Sequence, residues 1–128
     1  MGIVSGFQWV DGSFMENVEL KHKRSPKDLD VVTFFNLPEG CDNQKSFFEK
    51  TIHRLNNKEI KQKFKVDSYL IETSKNNPKD LVKSGAYWYS VWGHTRNGLW
   101  KGFFEVDLNP TSDAKALEEL KKKGSYDK

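Results

Sequence analysis

The chain has 128 residues, 36% of them hydrophobic and 30% charged. That is the size of one domain and the composition of a globular one, and nine Phe, four Tyr and four Trp exclude a disordered chain. A net charge of +3, spread along the sequence, does not announce a nucleic-acid binder, and a single cysteine, Cys41, excludes an intramolecular disulfide and a Cys-rich zinc module.

In chain order, Gly6 to Val10 reads as a short first strand ending in the turn-like pair Asp11-Gly12. Leu29 to Phe35 is β-branched and aromatic almost throughout, set between Pro26 and Pro38, and predicts a buried central strand. From Asn43 to Asn57 the apolar positions Phe47, Phe48, Thr51, Ile52 and Leu55 recur at three- and four-residue spacing, which predicts an amphipathic helix capped by Asp42. A third strand is expected over Phe64 to Glu72. Asn77-Pro78 opens a second helix, with proline in its first turn. Trp100 to Leu108 reads as a fourth strand and Thr111 to Lys123 as a last helix, capped by Thr111 or Ser112. The order β-β-α-β-α-β-α predicts one α/β or α+β domain over residues 1–128, a mixed sheet flanked by helices. No apolar run approaches the roughly 18–20 residues of a membrane span and Met1 to Val10 shows no signal-peptide pattern, so a cytoplasmic protein without membrane contact is expected.

Two features carry chemistry. Asp28 and Asp30 are two residues apart at the start of the buried strand, so their carboxylates point to one face with backbones about 6.5–7 Å apart. Oxygen ligands so placed suit hard divalent cations such as Mg²⁺ or Mn²⁺, and an unpaired carboxylate leading into a buried strand is costly without a cation or donor. Gly12-Ser13 offers a backbone free of side chain, a hydroxyl and N–H groups, which is what phosphates need. Each feature also reads as ordinary strand-start and turn chemistry. A third carboxylate would come from a neighbouring strand, where Asp67 is the first choice and Glu105 and Asp107 are runners-up. The loop from Gly93 to Gly98, together with Lys101, is a further candidate. Arg96 and Lys101 read either as phosphate-holding cations or as part of a solvated loop. Tyr87, Trp88, Tyr89 and Trp92 read either as a base-stacking surface or as core.

Gly12-Ser13, a spacer, Asp28-Leu29-Asp30 in apolar context, and then Asp67 together resemble the signature of the polymerase-β-like nucleotidyltransferase superfamily. More narrowly, the segments Trp9 to Glu19, Pro26 to Phe35 and Lys101 to Leu108 resemble a family of small bacterial and phage proteins of nucleotidyltransferase-like type. The resemblance implies Mg²⁺ or Mn²⁺ held by Asp28, Asp30 and Asp67, and a nucleoside triphosphate whose phosphates meet Gly12 and Ser13. It also implies transfer of a nucleoside monophosphate to an acceptor hydroxyl on a protein, an RNA or a small molecule. The rival expectations are a binding module that keeps this fold without turnover, serving a protein partner as an antitoxin-like or phage accessory protein, and a metal-independent nucleic-acid binder using the basic loop and aromatics.

Overall fold

The computed structural model describes residues 2–13, 23, 27–51 and 56–124. It is an α+β fold: a mixed four-stranded sheet with helices on both faces, as the element order predicts. In chain order the elements are β1 (Gly6–Gly12), β2 (Leu29–Phe35), α1 (Gln44–Thr51), α2 (Asn57–Phe64), β3 (Val66–Glu72), α3 (Pro78–Trp92), β4 (Phe104–Asp107) and α4 (Pro110–Gly124). Strand order across the sheet is β3-β2-β1-β4, with β1 antiparallel to both β2 and β4 and β2 parallel to β3.

The central strand β2 is buried from Val31 to Phe35, so its side chains alternate between two apolar layers. Val32 and Phe34 face α3, where Trp92 is buried against them and Phe7, Trp9, Ile71, Trp88 and Phe103 complete the layer. Phe35 faces the other side and packs on Phe47 of α1, ring centroids 5.2 Å apart. Phe47 retains only 1% exposure, and burying a side chain of that size stabilises the fold by about 1.5–3 kcal/mol.

Several boundaries differ from expectation, each for a local reason. The helix expected over Asn43 to Asn57 is described as α1 up to Thr51, residues 52–55 lie outside the described set, and a separate helix, α2, begins at Asn57. The side chain of Asn56 accepts from the Lys58 N–H to start α2, and Lys65, at φ 59°, ends it. Phe64 therefore closes a helix, and the strand begins at Val66. Asn43, not Asp42, caps α1, its Oδ1 accepting from the Ser46 N–H at 2.8 Å. Asn109 likewise caps α4 in place of Thr111 or Ser112, accepting from the Thr111 N–H at 2.9 Å, and Pro110 takes the first helical position. Asn77 and Pro78 open α3 as expected. The fourth strand is shorter than predicted, and Trp100 lies outside it, paired with His94 in an isolated bridge. No helix among the described residues is long and apolar enough to cross a membrane.

Candidate active site at one end of the sheet

The end of β1 and the starts of β2 and β3 lie together, and the register there decides the site. Asp11 is opposite Asp30, and Asp30 is opposite Asp67. Directly opposed residues share a face, so three carboxylates stand in a row across three adjacent strands. Asp28, just before β2, extends the group.

The row is unevenly neutralised. At one end, Asp11 is 4% exposed and receives both oxygens' hydrogen bonds from Lys101 Nζ, at 2.6 and 2.7 Å. At the other end, Asp67 accepts from Asn57 Nδ2 at 2.7 Å and from Lys61 Nζ at 2.8 Å. These contacts, Lys61 first, hold the Asp67 carboxyl below its ordinary pKa, and the same pairing raises that of Lys61. Asp30, in the middle, has no hydrogen-bond or ion-pair partner among the described residues. Burial first, and then the charges of Asp67, Asp11 and Asp28, push its carboxyl above the usual range.

Above this row opens a cleft of about 650 Å³. Asp11, Gly12, Ser13, Lys27, Asp28 and Asp30 form one wall, and the end of α3 with the loop from His94 to Asn97 and Lys101 forms the other. Of the seven residues put forward as metal or phosphate ligands, Gly12, Ser13, Asp28, Asp30, Arg96 and Lys101 line it, as does Trp92 of the aromatic cluster. Asp67 does not line it. It shares the face and register of Asp30 but is held aside by Lys61 and Asn57.

The local backbone explains two of these residues. Gly12 is the last residue of β1, paired with Leu29, rather than the turn expected at Asp11-Gly12. Its φ is +129° and an added Cβ would sit 2.6 Å from the Asp28 carbonyl oxygen, so only glycine lets β1 close on β2 here. Ser13 Oγ accepts from the Lys27 N–H at 3.1 Å, which pins the two strand ends together and leaves the hydroxyl hydrogen free to donate. Glu105 is occupied elsewhere, accepting from Trp9 Nε1 at 2.8 Å, and Asp107 pairs with Phe7 toward the far end of the strand.

The donor set can be weighed against Mg²⁺, which is commonly held by one or two carboxylates with water and substrate phosphates filling the remaining positions. Asp28 and Asp30 fit that pattern, since both line the cleft and Asp30 is a carboxylate crowded by Asp67, Asp11 and Asp28, with no ion-pair partner among the described residues. A complete protein cage is a different matter. Among the described residues, no three His, Cys, Asp or Glu side chains gather closely enough to hold an ion by themselves.

Asp11 is the site residue that sequence reasoning missed. Its signal was alternation: Phe7, Trp9 and Asp11 fall on one face of β1, and extending the strand by two residues brings Asp11 beside the aspartate pair. No curated protein matches the chain, and no solved structure does. A family of unknown function, DUF6932, matches residues 1–107, which include every residue lining the cleft, and the chain belongs to that family.

Proposed function

We propose that the protein is a metal-dependent nucleotidyltransferase of the polymerase-β-like kind, moving a nucleoside monophosphate from a nucleoside triphosphate to an acceptor hydroxyl. One observation carries the reading. Gly12 and Ser13, Asp28 and Asp30, and Arg96 and Lys101 come from three separate stretches of chain and line a single cleft, phosphate-type donors together with carboxylates.

In the reaction, the acceptor oxygen bonds to the α-phosphorus and the bond from that phosphorus to the bridging oxygen breaks. The electron pair leaves with pyrophosphate, and the acceptor proton passes to water. When bound, Mg²⁺ or Mn²⁺ supplies positive charge against the phosphate oxygens. Asp28 and Asp30 would hold that cation. Ser13 donates its hydroxyl hydrogen to a phosphate oxygen while its lone pair keeps the Lys27 N–H. Arg96, exposed and without an acidic partner among the described residues, offers a planar fork suited to two phosphate oxygens. Lys101 is already matched by Asp11, so its role is to set the floor of the cleft and share its charge with an incoming phosphate. Asp67 would join the other two carboxylates only if Lys61 and Asn57 released it.

That last requirement favours a second reading, in which the fold binds a triphosphate without turnover and serves a protein partner. Incubation with each of the four α-labelled triphosphates, Mg²⁺ or Mn²⁺, and cell-extract protein and RNA separates the two. Label transfer with pyrophosphate release, abolished by Asp30→Asn, supports the enzyme. Metal-dependent binding with no transfer supports the second reading, and absence of triphosphate binding overturns both.

A further inference from the structure

The cleft does not end at its polar wall. Beside α3 runs an open groove of about 570 Å³, lined almost wholly by apolar surface from Trp9, Gly85, Ala86, Tyr89, His94 and Trp100. Two connections join it to the cleft. His94 lines both, and a smaller hollow of about 220 Å³ shares Lys101 with the cleft and Tyr89 and Trp100 with the groove.

The aromatic groups here are unusually available. Trp100 is 79% exposed and Tyr89 58%, while the core of this face is already filled by Trp88 and Trp92. One face of Trp100 rests on the His94 ring, with centroids 4.0 Å apart, which fixes the indole at the mouth of the groove and leaves its remaining surface to solvent. On the α3 side, Gly85 and Ala86 leave space where larger side chains would stand, and nothing lies within 4 Å of a Cβ built at Gly85. Polar surface is scarce, and two of its groups are already used. The Trp9 indole N–H donates to Glu105, and the Ser90 hydroxyl donates to the Tyr87 carbonyl.

We infer that this aromatic groove holds the nucleobase of the nucleotide whose phosphates occupy the cleft, with the base stacked on Trp100. The inference rests on the cleft being a triphosphate site. A flat, exposed, indole-fronted surface suits a planar π-system, and such stacking is worth about 1–3 kcal/mol per base. Because the lining is almost wholly apolar, recognition is by stacking area rather than by a hydrogen-bond code. Purines bind more tightly than pyrimidines, and adenine and guanine are poorly distinguished.

The test is titration of the full chain, with Mg²⁺ present, against ATP, GTP, CTP, UTP and inorganic tripolyphosphate, for the parent, Trp100→Ala and Trp100→Phe. The expected result is that ATP and GTP bind the parent about ten-fold more tightly than tripolyphosphate, a difference of about 1.4 kcal/mol. Trp100→Ala removes that advantage without changing tripolyphosphate affinity, and Trp100→Phe restores most of it. Equal affinities of the parent for ATP and tripolyphosphate, or an ATP advantage that survives Trp100→Ala, overturns the base site and leaves the phosphate cleft standing. Failure of both ATP and tripolyphosphate to bind overturns the cleft reading and this inference together. Sedimentation showing a dimer that Trp100→Ala converts to monomer assigns the groove to a second copy of the chain and likewise overturns the inference.

Discussion

The pair formed by Asp11 and Lys101 is the most enclosed ion pair among the described residues, and removing one partner at a time tests how the site is built. The two side chains are 5% and 16% exposed, and the ammonium reaches both carboxylate oxygens. Breaking such a buried pair strands a charge and costs about 3–5 kcal/mol. The two halves of the experiment are unequal. Lys101→Met leaves the Asp11 carboxylate almost sealed and already beside Asp30, so the upper part of that range applies. Asp11→Asn leaves an amide oxygen for the ammonium and a lysine with a path to water, so about 1–2 kcal/mol is expected. For a chain of this length each kcal/mol moves the melting temperature by roughly 4 °C, so Lys101→Met should melt about 15–20 °C below the parent and Asp11→Asn about 4–8 °C below. The double variant should recover about 2 kcal/mol relative to the sum of the single effects, since neither charge is then left alone. Urea denaturation of the four proteins closes the cycle. Additive effects, or a Lys101→Met variant as stable as Asp11→Asn, would refute the assignment of this pair as a buried, mutually dependent unit.

Asp30→Asn should raise the melting temperature at pH 7, because it removes a carboxylate that burial and three like charges disfavour in its ionised form. A carboxyl raised in the folded state weakens the fold as pH rises through its folded pKa, so the advantage of the variant should shrink on acidification; melts at pH 7 and pH 4 that show a constant difference contradict this. The same variant should lose the gain in melting temperature that Mg²⁺ with a triphosphate gives the parent, about 2.7 kcal/mol at a hundred-fold excess over Kd. Asp67 has the opposite sign: its lowered carboxyl contributes stability at neutral pH that is lost as pH falls through its folded pKa. Lys61→Met should therefore move the Asp67 carboxyl resonance, followed by NMR titration, upward toward the ordinary aspartate range. Phe47→Ala should cost about 3–5 kcal/mol in urea denaturation, since the ring is 1% exposed and packed on Phe35.

The central strand was legible because Leu29 to Phe35 is β-branched or aromatic almost throughout and set between prolines, which is how a buried strand of that length reads. Helix α2 was not. Its sequence carries Ile60 and Phe64 as its only apolar side chains and buries none of its residues, so no periodic stripe marks it; its limits are set by Asn56 and by the left-handed Lys65. The aspartates at the mouth of β2 could be picked out because two-residue spacing has a fixed geometric meaning on a strand. Asp11 was hidden because an Asp-Gly pair is the commonest of turn signals, and only the register with β2 shows it to be strand. Glu72 was missed for a related reason. It is buried without an ion pair among the described residues, satisfied by Gln44, Ser74 and the Lys75 N–H, partners contributed by a helix and a loop that no local pattern links.

The placement of β4 beside β1 has a consequence for how the cleft comes into being. Strand β2 finds both of its neighbours, β1 and β3, within residues 6–72, but β1 finds its second partner only with residues 104–107, and Lys101 reaches Asp11 across 90 positions of sequence. During synthesis, which proceeds from the N-terminus, the β3-β2-β1 sheet can pair while Asp11 still lacks its lysine and the cleft still lacks the wall that carries Arg96. The row of carboxylates thus exists before anything balances one end of it, and the closing of that end is the long-range event that rewards the chain for completing the sheet. A ribosome-bound chain stalled short of β4 should hold a sheet whose face is exposed along the β1 edge, making the arrival of the last strand both the step that completes the pocket and the step that protects the molecule from pairing with its neighbours.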